Sequence, residues 1–227
     1  MRDRRKSLCQ RLTEELIWLD SRYGHPPWHK LLVKRVFSSI LDKEDRVIEI
    51  GCGAGGLSRR LAEIVTEGEV VGIDVSEEYM KRLRRSMETD DAAPPNLSFR
   101  LGSAEDIPCP DDYFDLAVCT GAFSFWSEPE RGLVEVRRVL KPGGKLYSVD
   151  VYEEGAIWVT GGARAFDLWS PHKMNVYSSE EFRQFLRNAG FTVVYQKDVG
   201  GTLVTVGTKS LELRTPGLAG QSSPEGG

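Results

Sequence analysis

The sequence predicts an α/β fold with a doubly wound, seven-stranded and mostly parallel sheet that closes with an antiparallel hairpin. Three observations lead to this prediction. From Arg46 onward, short apolar runs alternate with segments of helical periodicity, which is the pattern of strand–helix–strand units. A glycine-rich loop follows the first of these runs. Near the end, two runs rich in β-branched residues flank Gly200 and Gly201, as is typical of a hairpin.

The predicted strands are runs of apolar residues bounded by glycine, proline or polar residues. The first run, RVIEI, is apolar and ends in glycines, as a strand buried on both faces does. The breaker segments AAPPN and KPGG separate later strands from the helices before them. Strands are expected at 46–50, 69–75, 97–101, 114–120, 145–151, 191–199 and 202–208.

The starts of the predicted helices carry residues that can cap a free backbone amide. Ser76 precedes two glutamates and is expected to cap the helix after the second strand. Ser127 and Glu130 have the spacing of a capping box before the next helix. Ser178 or Ser179 is expected to open the last helix before the hairpin.

Three further regions flank or interrupt the α/β domain, which is expected at 45–210. Residues 1–44 contain leucines at helical spacing and are predicted to form an N-terminal helical cap. Residues 152–176 have no clear period, and such a long irregular insert is the candidate substrate lid. Residues 211–227 are rich in Gly, Ser and Pro and are expected to form a disordered tail.

Composition argues against several classes of protein. A net charge of −4 argues against a protein that binds nucleic-acid backbones. The longest apolar stretch, 116–126, is about half the ~20 residues that a membrane span needs, and no targeting segment is recognisable. The four cysteines and three histidines show no metal-ligand spacing, so reduced thiols and no metal site are expected. A cytosolic (cytoplasmic) protein is therefore expected.

The segment EIGCGAGG (49–56) predicts a nucleoside site. It follows a strand and begins a helix, and its glycines let a ligand approach the backbone without meeting a Cβ atom. In doubly wound sheets, ligands bind at the carboxyl ends of the strands. Asp74 ends the next strand, where a carboxylate can accept hydrogen bonds from both hydroxyls of a ribose.

Nicotinamide dehydrogenases are the alternative, because Gly51, Gly53 and Gly56 also satisfy G-x-G-x-x-G. Three features argue against them. Glu49 stands two residues before Gly51, where an anion would repel a pyrophosphate but suits a cationic amino group. The first predicted strand begins only at residue 46, and the chain closes with an antiparallel hairpin. The pattern favours a nucleoside that carries a cationic amino acid.

Four segments, EIGCGAG, GIDVS, GSAEDIPCPDDYFD and RRVLKPGG, occur in this order along the chain. Together they resemble the class I S-adenosylmethionine-dependent methyltransferases, which have a Rossmann-like fold. The resemblance is closest to the small-molecule branch that includes quinone and sterol methyltransferases, and it covers about 45–150 and the terminal hairpin. It implies S-adenosylmethionine as the cofactor and transfer of its methyl group to another molecule.

The resemblance also implies roles for individual residues. Glu49 is expected to hold the methionine end of the cofactor, partly through water. Asp74 is expected to bind the ribose, and Val75 to pack on the adenine face. The further expected cofactor contacts are Gly51, Cys52, Gly53, Gly55 and Tyr23, the last in the loop between the two predicted N-terminal helices.

Position 103 departs from the family's pattern. Relatives often carry an aspartate there to bind the adenine amino group, whereas this chain has Ser103. Either Ser103 makes this contact, or Glu105 or Asp106 takes it over. The resemblance further implies that the Ala104 amide donates to an adenine nitrogen and that the Thr120 carbonyl accepts from the cofactor's amino group.

The expected reaction is an in-line displacement at the sulfonium, which gains most from alignment of the reactants. A general base is needed only if the acceptor must lose a proton, and His172 is a candidate, with a surface histidine as the alternative. Phe123, Phe125 and Trp126 offer a wall for a small apolar or aromatic acceptor, or they pack in the core.

Two other functions remain open at this point. One is an RNA or protein methyltransferase that uses the basic segment 2–11 to hold its substrate. The other is a non-catalytic protein that binds S-adenosylmethionine, since an intact binding loop does not prove turnover.

Overall fold

The computed structural model describes residues 36–155, 174–199 and 201–210. The strands are β1 (Arg46–Ile50), β2 (Glu69–Asp74), β3 (Leu97–Leu101), β4 (Phe114–Thr120), β5 (Leu140–Val151), β6 (Phe191–Val199) and β7 (Thr202–Lys209). The helices are α1 (Gly56–Ala62), α2 (Glu77–Thr89), α3 (Pro129–Val139) and α4 (Ser179–Asn188). Two short helical turns span Ser38–Ile40 and Phe123–Phe125.

All seven described strands belong to one sheet, in the order β3-β2-β1-β4-β5-β7-β6. The first five strands pair in parallel, and β7 runs antiparallel to both β5 and β6. The predicted doubly wound sheet with a terminal hairpin is confirmed. The strand order reverses between β1 and β4, and a crevice for a ligand forms at such a switch point, at the carboxyl ends of the strands.

The sheet separates two apolar layers because successive residues of a strand face opposite sides. In β1, Val47 faces α1, where it packs with Leu57 and Leu61. Its neighbour Ile48 belongs to the other layer, which includes Leu133 of α3 together with Phe182 and Leu186 of α4. Both layers are buried, and this explains why the strands of the parallel part are apolar at nearly every position.

Two of the three predicted helix caps are confirmed. The Ser76 hydroxyl accepts a hydrogen bond from the Tyr79 amide at 3.3 Å, at the start of α2. Ser178 begins α4 with a complete capping box, in which the Glu181 carboxylate accepts the Ser178 amide. Each cap satisfies a backbone donor that the helix itself leaves without a partner.

The capping box predicted from Ser127 and Glu130 is wrong. Helix α3 begins at Pro129. Proline suits a first helical position because it has no backbone N–H group, which would be left unpaired there. Its N-cap, Glu128, makes no hydrogen bond through its side chain. The acceptor comes instead from outside the helix, because the Glu105 carboxylate accepts the amides of Ser127 at 2.9 Å and Glu128 at 3.2 Å.

The boundaries of three strands also differ from the prediction. Strand β5 begins at Leu140 rather than at residue 145, because Leu140 pairs with Phe114 before the register shifts around the KPGG segment. The Lys209 ammonium, which is buried, donates to the Leu140 carbonyl at 2.7 Å and holds this early pairing. Strand β2 stops at Asp74, one residue early, and β7 extends by one residue to Lys209.

Several predictions concern residues that lie outside the described part of the chain. These are the helical cap up to residue 35 with Tyr23, the middle of the candidate lid (156–173) with His172, and the tail from residue 211. Among the described helices, none has both the length and the apolar character needed to cross a bilayer.

Candidate functional site

The glycine loop connects β1 to α1 at the carboxyl edge of the sheet. Gly51, Gly53 and Gly55 have φ values of 74°, 50° and 73°, a region that side chains other than glycine rarely adopt. The amides of Gly51 and Cys52 both donate to the Ile73 carbonyl, each at 2.9 Å. The loop therefore reverses direction while it stays attached to the end of β2.

The three glycines with positive φ do not share the same surroundings. A Cβ atom on Gly51 would lie 2.3 Å from the Cβ of Ala122, and one on Gly55 would lie 2.7 Å from the ring of Phe99. A Cβ atom on Gly53 would meet nothing within 4 Å. Gly51 and Gly55 are thus required for packing, whereas the backbone of Gly53 faces open space that a ligand can enter.

Asp74 closes one side of this space. Its carboxylate accepts the Gly53 amide at 2.8 Å through Oδ2 and the Ser76 amide at 2.9 Å through Oδ1. A carboxylate has about four acceptor positions, so two remain for hydroxyl groups of a ligand. The side chain is half-buried, which leaves it within reach of such a ligand.

Glu49 lies near the end of β1, with 3% of its surface exposed. The Ser58 hydroxyl of α1 donates a hydrogen bond to its Oε2 atom. Burial, which outweighs the opposing hydrogen bonds from Ser58, raises the pKa of Glu49 to about 7, and the nearby charge of Asp74 contributes to this rise. A buried carboxylate of this kind gains most from a cationic partner, which would keep it ionised.

This pKa predicts how stability depends on pH. Folding raises the pKa of Glu49 above its ordinary value of 4.5, so between that value and about 7 the folded state binds more protons than the unfolded state. The free energy of unfolding of the wild type should therefore fall as pH rises through this window, by about 3 kcal/mol relative to Glu49→Gln. Denaturant titrations of both proteins from pH 4.5 to pH 8 measure this difference. A constant difference across the window would contradict the prediction.

The segment after β3 supplies a third side. The Ser103 hydroxyl donates to the Glu105 carboxylate and accepts the Glu105 amide at 3.1 Å. Burial by itself would raise the pKa of Glu105, but these contacts and the amides of Ser127 and Glu128 hold it below its usual value. The Glu105 carboxylate is thus already occupied by the backbone amides at the start of α3. Of the three residues considered for the adenine amino group, this leaves Ser103 and the exposed Asp106 as more available.

Exposed apolar side chains surround the end of β2. Val75, directly after Asp74, is 69% exposed, and Tyr79 and Leu101 are also partly exposed. Leu101 is the partner of Asp74 in the β2–β3 ladder, so these side chains share one edge. Exposed apolar groups clustered at the carboxyl edge fit the flat ring of a ligand. Sequence reasoning identified only Val75, because Tyr79 and Leu101 read as ordinary helix and strand positions.

The turn after β4 forms the fourth side. The Gly121 amide donates to the Val149 carbonyl at 2.8 Å, and Gly121 has a φ of 64°. Asp150 of β5 accepts the Phe123 amide at 2.8 Å and the Ser124 hydroxyl. Sequence reasoning missed Asp150, although a charged residue at the end of a buried strand was a signal that it has partners.

The aromatic residues of this turn divide between core and surface. The Phe123 ring lies 4.8 Å from that of Trp126 and 4.4 Å from that of Phe182, and Phe123 and Trp126 are buried. For these two, the alternative of core packing is correct. Phe125 is 38% exposed and stays a candidate wall residue.

The described residues contain no group of three or more His, Cys, Asp or Glu side chains able to hold a metal ion. Cys52, Cys109 and Cys119 are free thiols, and burial raises the pKa of each, so they are poorly reactive. The edge of the sheet therefore offers carboxylates, backbone amides and apolar side chains to a ligand.

Comparisons with known proteins agree with this arrangement. Residues 48–148 match the family described as a methyltransferase domain. The chain is 30% identical over 157 residues to the 2-methyl-6-phytyl-1,4-hydroquinone methyltransferase of Arabidopsis thaliana, covering 68% of this chain and 42% of that protein. It is 27% identical over 202 residues to the ubiquinone/menaquinone biosynthesis C-methyltransferase UbiE of Rickettsia bellii, covering 78% of this chain and 81% of that protein.

One solved structure shows the same overall architecture. A methyltransferase from Aquifex aeolicus, described as SAM-dependent, superposes with a TM-score of 0.64 and 25% identity, covering 87% of this chain and 98% of that one. The alignments to several plant and fungal relatives span between 38% and 43% of those proteins, which is less than half of their length.

Proposed function

The chain belongs to the class I S-adenosylmethionine-dependent methyltransferases, and from this premise we propose that it transfers the methyl group of S-adenosylmethionine to a small apolar or aromatic molecule. The observation that carries the proposal is the open space at Gly53, whose amide is held by the Asp74 carboxylate, with the buried carboxylate of Glu49 near enough for its charge to interact with that of Asp74. A nucleoside with a cationic amino acid matches these two carboxylates, because its ribose can donate to Asp74 and its ammonium group can pair with Glu49.

The residues present fit each part of this cofactor. Asp74 keeps two acceptor positions for the ribose hydroxyls. Glu49 supplies a buried negative charge for the ammonium group of the methionine moiety. Val75 and Leu101 present apolar surface for the adenine ring, and Ser103 presents a hydroxyl beside it. A dinucleotide would instead place a pyrophosphate near Glu49, where the two charges repel each other.

When bound, S-adenosylmethionine supplies a methyl group on a sulfonium, which an acceptor displaces in line. The contribution of the protein is to orient the two reactants, an effect that can account for roughly 7–11 kcal/mol of a barrier. Hydrogen bonds from the glycine loop to the Ile73 carbonyl and the Asp74 carboxylate fix the backbone around the site proposed for the methyl donor. His172 stays the candidate general base for an acceptor that must lose a proton.

A quinol-like acceptor is the form of this proposal that the relatives support. Two of them, from Arabidopsis thaliana and Rickettsia bellii, carry names that refer to hydroquinone or quinone methylation. The half-exposed Phe125 adds apolar surface beside the crevice. An aromatic ring with hydroxyl groups fits such a surface because its faces are apolar and its edge is polar.

The test is to incubate the protein with S-adenosylmethionine that carries a labelled methyl group and with cell extract. The extract is then separated into lipid, water-soluble small-molecule, RNA and protein fractions. We expect label in the lipid fraction, and its loss when Asp74→Ala replaces the wild type. Label in RNA or protein would overturn the proposed acceptor. If no fraction is labelled although S-adenosylhomocysteine binds, the protein is a non-catalytic binder.

A further inference from the structure

Asp150 is a buried carboxylate that the cofactor site does not use. It is the penultimate residue of β5 and has 5% of its surface exposed. Burying a charge is costly unless hydrogen bonds replace its hydration. Three donors do so here: the Phe123 amide at 2.8 Å, the Val151 amide at 2.9 Å and the Ser124 hydroxyl. Two of these three belong to the turn after β4, so the carboxylate joins that turn to β5.

The same turn contacts the glycine loop, where the methyl donor is proposed to bind. Ala122 precedes Phe123 and packs so closely on Gly51 that a Cβ atom on Gly51 would lie 2.3 Å from its own. Thr120, whose carbonyl is expected to accept from the cofactor, lies two residues before Ala122. A shift of the turn would therefore be transmitted to the glycine loop.

The turn also binds the described residues near the end of the candidate lid. The Ser124 carbonyl accepts the Asn175 amide at 2.7 Å, and the Glu153 amide donates to the Tyr177 carbonyl at 2.9 Å. A residue at the start of the candidate lid thus pairs with one just after its end, at the edge of the sheet where the crevice opens. The turn 121–125 therefore contacts the glycine loop through Ala122 and the end of the candidate lid through Ser124.

We propose that Asp150 is a positioning residue for methyl transfer, which acts by fixing the turn 121–125 through the Phe123 amide and the Ser124 hydroxyl. The proposal rests on the proposed function for its effect on turnover. Asp150 is directed at the turn and not at the donor site formed by Gly53 and Asp74. Its loss should therefore affect the alignment of the reactants far more than the binding of the donor.

Three variants separate this role from general stability. Asp150→Ala leaves the Phe123 amide and the Ser124 hydroxyl without their acceptor, and Ser124→Ala removes only the second contact. Asp150→Asn keeps one acceptor oxygen and should retain part of the function. The matched control is Asp115→Asn. This carboxylate accepts the Arg46 amide at 2.9 Å and the Lys141 ammonium at 2.7 Å, at the opposite end of the sheet.

Three measurements on the whole chain test the proposal: turnover, ligand affinity and hydrogen exchange. For Asp150→Ala we expect roughly a hundredfold lower turnover at saturating substrates, since a displacement of about 1 Å can have that effect. The dissociation constant for S-adenosylhomocysteine should change less than about fivefold. Turnover should fall in the order wild type, Asp150→Asn, Asp150→Ala. Hydrogen exchange in the presence of S-adenosylhomocysteine should become faster in 121–125 for Asp150→Ala and Ser124→Ala, and stay unchanged for Asp115→Asn.

The exchange measurement needs no acceptor, so the failures of the two proposals are distinguishable. A wild type that binds S-adenosylhomocysteine and methylates nothing would contradict the proposed function. The exchange rates would still decide whether Asp150 fixes the turn. Unchanged exchange in 121–125, or wild-type turnover in Asp150→Ala, would overturn the positioning role. If Asp150→Ala does not fold, Asp150→Asn and Ser124→Ala decide through their turnover and their hydrogen exchange.

Discussion

Replacing Asp74 with alanine is expected to weaken binding of S-adenosylhomocysteine by at least about a hundredfold, or ~3 kcal/mol. The variant loses the acceptors for the ribose hydroxyls, and hydrogen bonds to a charged group contribute roughly 1.5–3 kcal/mol each. It also frees the Gly53 amide, which Asp74 holds at 2.8 Å, so the glycine loop loses one of its attachments. Isothermal titration calorimetry measures the affinity directly.

The control for this prediction is Asp91→Ala, which removes an exposed carboxylate from the loop between α2 and β3. It alters net charge by the same amount and should leave the affinity unchanged. Asp74→Asn should fall between wild type and Asp74→Ala, because an amide keeps one acceptor oxygen. Affinity in Asp74→Ala within about threefold of the wild type would show that the ribose is bound elsewhere.

Alanine at Gly51 should act mainly on stability, whereas alanine at Gly53 should act mainly on binding. At Gly51, a Cβ atom 2.3 Å from Ala122 adds steric overlap to the cost of a positive φ, so the free energy of unfolding should fall by roughly 3 kcal/mol or more. At Gly53, nothing lies within 4 Å, and only the backbone cost of roughly 1–2 kcal/mol applies. The methyl group then projects into the space proposed for the cofactor, and affinity should fall by about 30-fold.

Thermal or denaturant unfolding and calorimetry with S-adenosylhomocysteine, applied to both variants, separate the two effects. Each glycine variant serves as the control for the other, because the chemical change is the same. If Gly53→Ala binds the ligand as well as the wild type does, the cofactor does not approach the backbone there. If Gly51→Ala is as stable as Gly53→Ala, the close contact with Ala122 is not a constraint on the fold.

The features that the sequence predicted correctly are local ones. Strands such as Arg46–Ile50 follow from short apolar runs, and the positive φ values of Gly51 and Gly53 follow from a glycine loop between a strand and a helix. The Ser76 and Ser178 caps were recognisable because each involves residues three positions apart. Patterns of this kind lie within one window of the sequence.

The features that were missed depend on contacts between distant residues. Glu105, not Ser127, supplies the acceptor at the start of α3, and no sequence pattern near Ser127 predicts that contact. Asp150 bonds Phe123, which precedes it by 27 positions. The early start of β5 depends on Lys209, whose ammonium reaches the Leu140 carbonyl from the last described strand. Tertiary structure decides these details, and spacing alone does not encode them.

Phe123 and Trp126 illustrate the same limit of local patterns. An aromatic cluster after a strand can line a substrate site or pack in the core, because the periodicity of the sequence does not distinguish the two. The ring of Phe182, from a helix about sixty residues away in sequence, packs on Phe123 and decides for the core.

The central claim is that the crevice between Glu49 and Asp74 binds a sulfonium nucleoside. Calorimetric titration of the wild type with S-adenosylmethionine, with its demethylated product S-adenosylhomocysteine and, separately, with NAD tests it most directly. We expect S-adenosylhomocysteine to bind with one site per chain, with release of protons near pH 7 as Glu49 becomes ionised, and NAD to give no binding heat. Binding of NAD with no heat from S-adenosylmethionine or S-adenosylhomocysteine would contradict the account.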